Sequence, residues 1–185
     1  MLWSAQFFAY MTWLPLYLVE VHGASVNQAL AGYAVPVGVL LLFCLVTGVL
    51  LRLGWPIALL LPAALAAQAA VWWLVPVTGG GWPGLASLVG FGIGAGITPT
   101  CLFAMPSAIL GQGRASAAAF GTLLTGRSIG VFLGPILFAQ ASKTAGGWDA
   151  GVPIFGAVTT ACLVIGLVLS LQLRRLGAGV ARAHG

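Results

Sequence analysis

Of 185 residues, 61% are hydrophobic and nine are charged (seven Lys or Arg plus two Asp or Glu), for a formal net charge of +5 at pH 7. A soluble domain carries roughly 25% charged residues, so at 5% this chain lacks the polar surface to cover a globule in water. The apolar runs are also too long and too uniform for membrane β-strands, which alternate over about ten residues; they are read as helices that satisfy their own backbone in lipid.

The first run covers residues 2–21. Within it Gln6, Tyr10, Trp13 and Tyr17 recur at i, i+4, i+7 and i+11, one face of a helix. A stripe of aromatic and hydrogen-bonding groups at mid-membrane fits either a substrate-pathway wall or an interior packing face whose hydroxyls are bonded internally. The run is too long for a signal peptide, and Met1-Leu2-Trp3-Ser4 supplies no basic n-region. The chain begins inside or at the edge of a helix, and a missing upstream part is expected.

After the break at His22-Gly23-Ala24-Ser25, a second run spans 28–51. Arg52-Leu53-Gly54 separates it from a third at 55–76, and Thr78-Gly79-Gly80-Gly81 forms the next turn. The third run, like the sixth, has little polar content beyond Gln68 or Thr159-Thr160 and reads as lipid-facing support.

The fourth run, 83–110, holds Gly90, Gly92, Gly94 and Gly96, then Thr98-Pro99-Thr100-Cys101 and Pro106. No strand precedes the glycines and no acid follows at the spacing a dinucleotide site needs. Their role is close approach of neighbouring helices, Gly90 and Gly94 among them, with Pro99 loosening the backbone ladder. Thr98, Thr100 and Cys101 could complete a pathway wall.

Past Gly111-Gln112-Gly113-Arg114, the fifth run spans 116–142 and carries Gly126, Gly130 and Gly134 at spacing four, closed by Pro135. This small-residue stripe suits plain helix packing or an interface that rocks during transport. Arg127 lies about 11 residues, roughly 17 Å, from the near end of that run, close to the middle of a ~30 Å hydrocarbon core. An arginine there costs at least about 2.5–3.5 kcal/mol and is expected to face the protein interior. It is either a binding group for an anionic substrate or a structural residue held by carbonyls, or by an acid outside this chain. A break at Ala145-Gly146-Gly147 precedes the sixth run, 150–173, and residues 177–185 read as a short cytoplasmic tail.

Residues 1–176 therefore form one six-helix membrane domain. With six spans, Arg52, Arg114, Arg174, Arg175 and Arg182 share one face, and Glu20, Lys143 and Asp149 the other. The arginine-rich face is cytoplasmic by the positive-inside rule, so both termini are cytoplasmic. This bias accounts for the net charge without a nucleic-acid partner. Trp3, Trp55, Trp72, Trp73, Trp82 and Trp148 fall near span ends, as interfacial rings do. Cys44, Cys101 and Cys162 lie inside spans with no CxxC neighbour, so no metal or cofactor is indicated. Intramembrane protease chemistry fails on parts: His22 and His184 are both at ends, and HExxH does not occur. No catalytic residue is assigned.

Taken together, Trp13-Leu14-Pro15-Leu16-Tyr17-Leu18 followed by Ala31-Gly32, the glycine-rich helix with Pro99, the loop with Arg114, Gly130-Val131-Phe132-Leu133-Gly134-Pro135 and Gly146-Gly147-Trp148 resemble helices seven to twelve of a major facilitator superfamily transporter. The WLPxY opening is most similar to the cyanate and nitroimidazole-type branch. The resemblance implies an all-α half-bundle with a 3+3 inverted repeat. It implies alternating access by a secondary transporter of a bacterial inner membrane, and a small organic molecule or anion as cargo. It places the first and fourth helices at a central cavity and the second and fifth against the absent N-terminal six-helix half, or against a second copy. Arg127 departs from that branch, where an uncharged polar residue precedes the glycine-proline stripe, so the cargo is not carried over. The other function class is a six-span scaffold or assembly partner in the lipid bilayer that transports nothing.

Overall fold

Each long apolar run folds as a helix, and the breaks fall where glycine or a polar cap interrupts it. The computed structural model describes residues 1–75, 81–110, 117–144 and 147–183, without the side chains of 149, 150 and 176–183. Six α-helices lie among them: α1 Leu2–Glu20, α2 Val26–Arg52, α3 Ile57–Leu74, α4 Trp82–Leu110, α5 Ala117–Thr144 and α6 Trp148–Ala183. Each lies within about two residues of its expected position, except that α6 continues through most of the expected tail. The turn at Thr78–Gly80, the Gly111–Arg114 loop, the Ala145-Gly146 pair, His184 and the side chains of Asp149 and Arg182 lie outside the described residues.

A capping box starts α2. The Ser25 hydroxyl accepts from the Gln28 N–H at 3.3 Å, and the Gln28 side-chain oxygen accepts from the Ser25 N–H at 2.9 Å. Positive φ at Gly23, Gly54 and Gly81 turns the chain between helices. All six helices run through internal prolines.

Five helices are long and apolar enough to cross a membrane: α2, α3, α4, α5 and the 151–175 part of α6. The sixth expected span, α1, falls short of that apolar content. At 19 residues, α1 carries Ser4, Gln6, Tyr10, Thr12, Tyr17 and Glu20, which dilute its apolar content. Its Met1 end lies beside Gly126 and Gly130, more than two turns inside α5.

The closest helix pairings are α2 with α4, α3 with α6, α1 with α5 and α3 with α4. Two apolar clusters result. One joins Tyr10, Leu14, Trp72, Phe91, Phe138 and Phe155; the other joins Leu61, Leu65, Cys101, Met105 and Cys162. The expectation that α3 is lipid-facing support is overturned. Half of its span is buried, the largest share among the five, because it packs against α4 and α6 while its Gln68 and Trp72 reach α1.

The glycines divide by what they touch. A Cβ added at Gly96 would lie 2.6 Å from the Leu40 carbonyl oxygen on α2, and one at Gly94 would lie 2.7 Å from that of Ala64 on α3. At Gly90 and Gly126, both expected to pack closely, the nearest atoms are 3.6 Å and 3.7 Å away, an ordinary contact. Gly96→Ala should therefore destabilise the protein by about 1–3 kcal/mol, and Gly90→Ala should stay within about 0.5 kcal/mol of wild type. Thermal unfolding of the two variants in detergent checks this; equal losses would refute the packing.

Candidate functional site

The polar face of α1 is consumed by hydrogen bonds to other helices. Gln6 is fully buried. Its Nε2 donates to Gln68 Oε1 at 3.3 Å, and its Oε1 accepts from Trp72 Nε1 at 2.7 Å. Trp3 Nε1 donates to the same Gln68 oxygen at 3.0 Å. Two donors converging on one oxygen fix the orientation of the Gln68 amide, since an indole only donates. The remaining Gln68 Nε2 group has no partner among the described residues. Gln6 therefore belongs to a sealed polar knot joining α1 and α3, not to an open wall.

Further along the same face, Tyr10 stacks on Phe91 with centroids 3.7 Å apart, and its hydroxyl contacts Ser87. Trp13 Nε1 donates across to the Pro135 carbonyl on α5 at 3.0 Å, and the Tyr17 hydroxyl to the Val75 carbonyl at 3.4 Å. Trp148 Nε1 donates to Glu20 at 2.8 Å. Trp3 and Trp72, expected at the interface, are thus tied into the interior, whereas Trp55 and Trp82 remain exposed.

Two spaces adjoin this face. A cleft of about 550 Å³ opens between α1, α2 and α4 near the Glu20 end, with Tyr10, Tyr17, His22, Gln28 and Ser87 as its polar lining. That volume falls within the roughly 300–1,000 Å³ of small-molecule sites. On the opposite side of Tyr10 and Tyr17, a much smaller aromatic-lined cavity lies between α1, α3, α5 and α6.

The other expected site residues do not join them. Thr98 is fully buried and donates to the Gly94 carbonyl of its own helix at 2.7 Å; Thr100 does the same to Gly96 at 3.1 Å. Neither lines the cleft, because Thr98 is one turn from Gly94 and shares its α3-facing side. Arg127 does not face the interior of this six-helix bundle. It is exposed on the α1–α5 surface, beside Ser128 and Phe132 in a shallow open groove. Its guanidinium carbon lies 5.8 Å from the Phe8 ring centroid, and no acidic partner occurs among the described residues. The cause is helical phase: residue 127 is turned about 100° from Gly126, and Gly130 and Gly134 face α1.

The residues missed were Trp72, Phe138 and Trp148 around the small cavity, and Ser87 and Gln28 in the cleft. Two of them sat in plain periodicity: Phe138 is four beyond Gly134, and Trp72 four beyond Gln68. Compared with known proteins, the chain matches no family model, no curated protein and no solved structure.

Proposed function

We propose that the chain is one half-bundle of a major facilitator-type secondary transporter, integral to a bacterial inner membrane, moving a small organic molecule or anion by alternating access. One observation carries this reading. Three of the four closest helix pairings map onto one another when α1 exchanges with α4, α2 with α5 and α3 with α6: the α2–α4 pair becomes α5–α1 and α3–α6 becomes itself, while α3–α4 becomes the weaker α6–α1. A 3+3 inverted repeat has that property. The exchange also matches α2 to α5, which are the least buried of the five spanning helices, at 11% and 17%. Those two helices, with Arg127 between exposed apolar neighbours, form the side that would meet the second half.

Arg127 then serves as a cation at mid-depth on the surface shared with that half. Left in lipid it costs at least about 2.5–3.5 kcal/mol; facing a water-filled cavity it costs less and can hold an anion. In the complete or reassembled transporter, Arg127→Ala should reduce uptake of an anionic substrate by at least about tenfold while leaving expression within about twofold. Uptake into proteoliposomes, normalised to protein, is the check; equal losses of uptake and expression would make the residue structural.

The second reading, a six-span scaffold without transport, is favoured by the internal bonding of Gln6, Trp13 and Tyr17. It predicts no uptake from any vesicle reconstitution and normal assembly of the Arg127→Ala chain with its partner.

A further inference from the structure

Six aromatic side chains enclose the cavity between α1, α3, α5 and α6: Tyr10, Trp13, Tyr17, Trp72, Phe138 and Trp148. They form a nearly continuous ring. Tyr17 meets Trp148 at 5.7 Å between centroids, Trp148 meets Phe138 at 5.9 Å, Phe138 meets Trp72 at 6.0 Å, and Trp72 meets Tyr10 at 5.4 Å. Two turns of α1, carrying Trp13 between Tyr10 and Tyr17, close the circle, and Trp13 approaches Trp148 at 6.2 Å.

The polar tips of these rings are all engaged elsewhere. Trp13 donates to Pro135, Trp72 to Gln6, Trp148 to Glu20 and Tyr17 to the Val75 carbonyl, and the Tyr10 hydroxyl contacts Ser87. No indole N–H or phenol O–H is left over for an anion in the cavity. Aromatic faces carry negative charge density and attract cations, most strongly where water is excluded.

A recess of about 270 Å³ adjoins the cage and shares Trp13, Phe138 and Trp148 with it. Glu20 and Lys143 both line this recess, so its charges nearly cancel and the choice of ligand falls to the cage. Ser142 also lines it, with its hydroxyl oxygen buried and without a hydrogen-bond partner among the described residues. The cage itself measures about 40 Å³, against about 10–15 Å³ for one water. That is about three waters' worth of space, so a methylated head group seats part of itself in the cage and the rest in the adjoining recess.

We propose that this cage binds a small methylated ammonium group, held over the rings of Trp13, Trp72 and Trp148 with Glu20 at its mouth. The ammonium could belong to a free solute or to the choline head of a phospholipid. The cage stands on its own geometry and does not depend on transport or on Arg127.

The test is a binding titration of the purified chain in dodecyl maltoside, read by tryptophan fluorescence and by thermal shift. The probes are tetramethylammonium chloride, tert-butanol as a neutral isostere and sodium acetate, at constant ionic strength. Tetramethylammonium should bind saturably and at least about tenfold more tightly than tert-butanol, and acetate should not bind. Trp148→Leu should weaken tetramethylammonium about tenfold, whereas Trp55→Leu, at an exposed ring outside the cage, should leave the affinity unchanged. Glu20→Gln should weaken tetramethylammonium and leave tert-butanol unchanged. The unfolding temperature of each variant without ligand separates lost binding from lost fold. Repeating the titration in phosphatidylcholine and phosphatidylethanolamine vesicles assigns the source. Weaker binding in phosphatidylcholine marks a lipid head as competitor, and equal binding marks a free solute. Equal affinity for tert-butanol and tetramethylammonium, or an unchanged affinity in Trp148→Leu, would overturn the proposal.

Discussion

Gly134→Val should separate α1 from α5 and cost about 3–5 kcal/mol, the largest loss expected from any single glycine among the described residues. A Cβ at this position would run into the carbonyl of Ala5, and it would lie 2.7 Å from both the carbonyl carbon and the Cα of that residue. Those atoms belong to the backbone of another helix. Relief requires the helices to move apart, because no side chain there can rotate away. Overpacking a well-filled site costs typically about 1–3 kcal/mol, and the two further methyl groups of valine raise it. Separation would also break the Trp13 bond to Pro135, which lies one residue beyond the contact. Gly126→Val, two turns earlier on the same stripe, should cost under about 1 kcal/mol, since its nearest foreign atom is 3.7 Å away. Reversible unfolding in mixed micelles measures both. Ala5→Gly should fail to rescue Gly134→Ala, because the clash is with backbone; rescue would disprove this account.

Gln68→Leu should cost about 2–4 kcal/mol, even though leucine matches glutamine closely in size and is the more apolar. The substitution leaves Trp3 Nε1 and Gln6 Nε2 without their acceptor. Each buried donor so stranded costs about 1–3 kcal/mol. Hydrogen bonds between membrane helices average nearer 0.6 kcal/mol when measured pairwise, but that value describes a net exchange, and here donors are left behind. Removing the unpartnered Gln68 Nε2 group returns part of the loss. Gln6→Leu strands only Trp72 Nε1 and should cost about half as much. The double variant should cost less than the sum by about 1–3 kcal/mol, since removing Gln6 also removes one of the donors that Gln68→Leu strands. Strict additivity in that cycle would mean that the two amides do not share a network.

The stripe on α1 shows what a periodic pattern conveys and what it omits. Spacing put Gln6, Tyr10, Trp13 and Tyr17 on one face, and they do share one. Whether that face met water, lipid or protein was open, because spacing within one helix says nothing about the partner. The partners are α3, whose Gln68 and Trp72 carry complementary donors and acceptors four residues apart, with α4 against Tyr10 and α5 against Trp13. The glycines behaved in the same way. Gly94, Gly130 and Gly134 sit at close contacts, Gly90 and Gly126 do not, and Gly92 and Gly96, on another side of α4, abut α2. A small residue permits close approach; only the neighbour's position makes it necessary.

Arg127 is the sharpest case. Its depth follows from counting residues along the fifth apolar run, and its cost in lipid follows from depth. Its direction does not, since a rotation of about 100° per residue has no zero until α5 is docked against α1. Composition and run length by themselves determined that the chain is helical, that six helices lie among the described residues, and where each begins and ends to within about two residues, the far end of α6 excepted. These are local consequences of apolar length, turn residues and backbone hydrogen bonding. Tertiary structure alone decided that α3 is central, that the indoles of Trp3 and Trp72 turn inward, that six rings close around one small cavity, and that Arg127 faces outward. Those outcomes depend on which helix faces lie against each other, and residues far apart in sequence set that arrangement together.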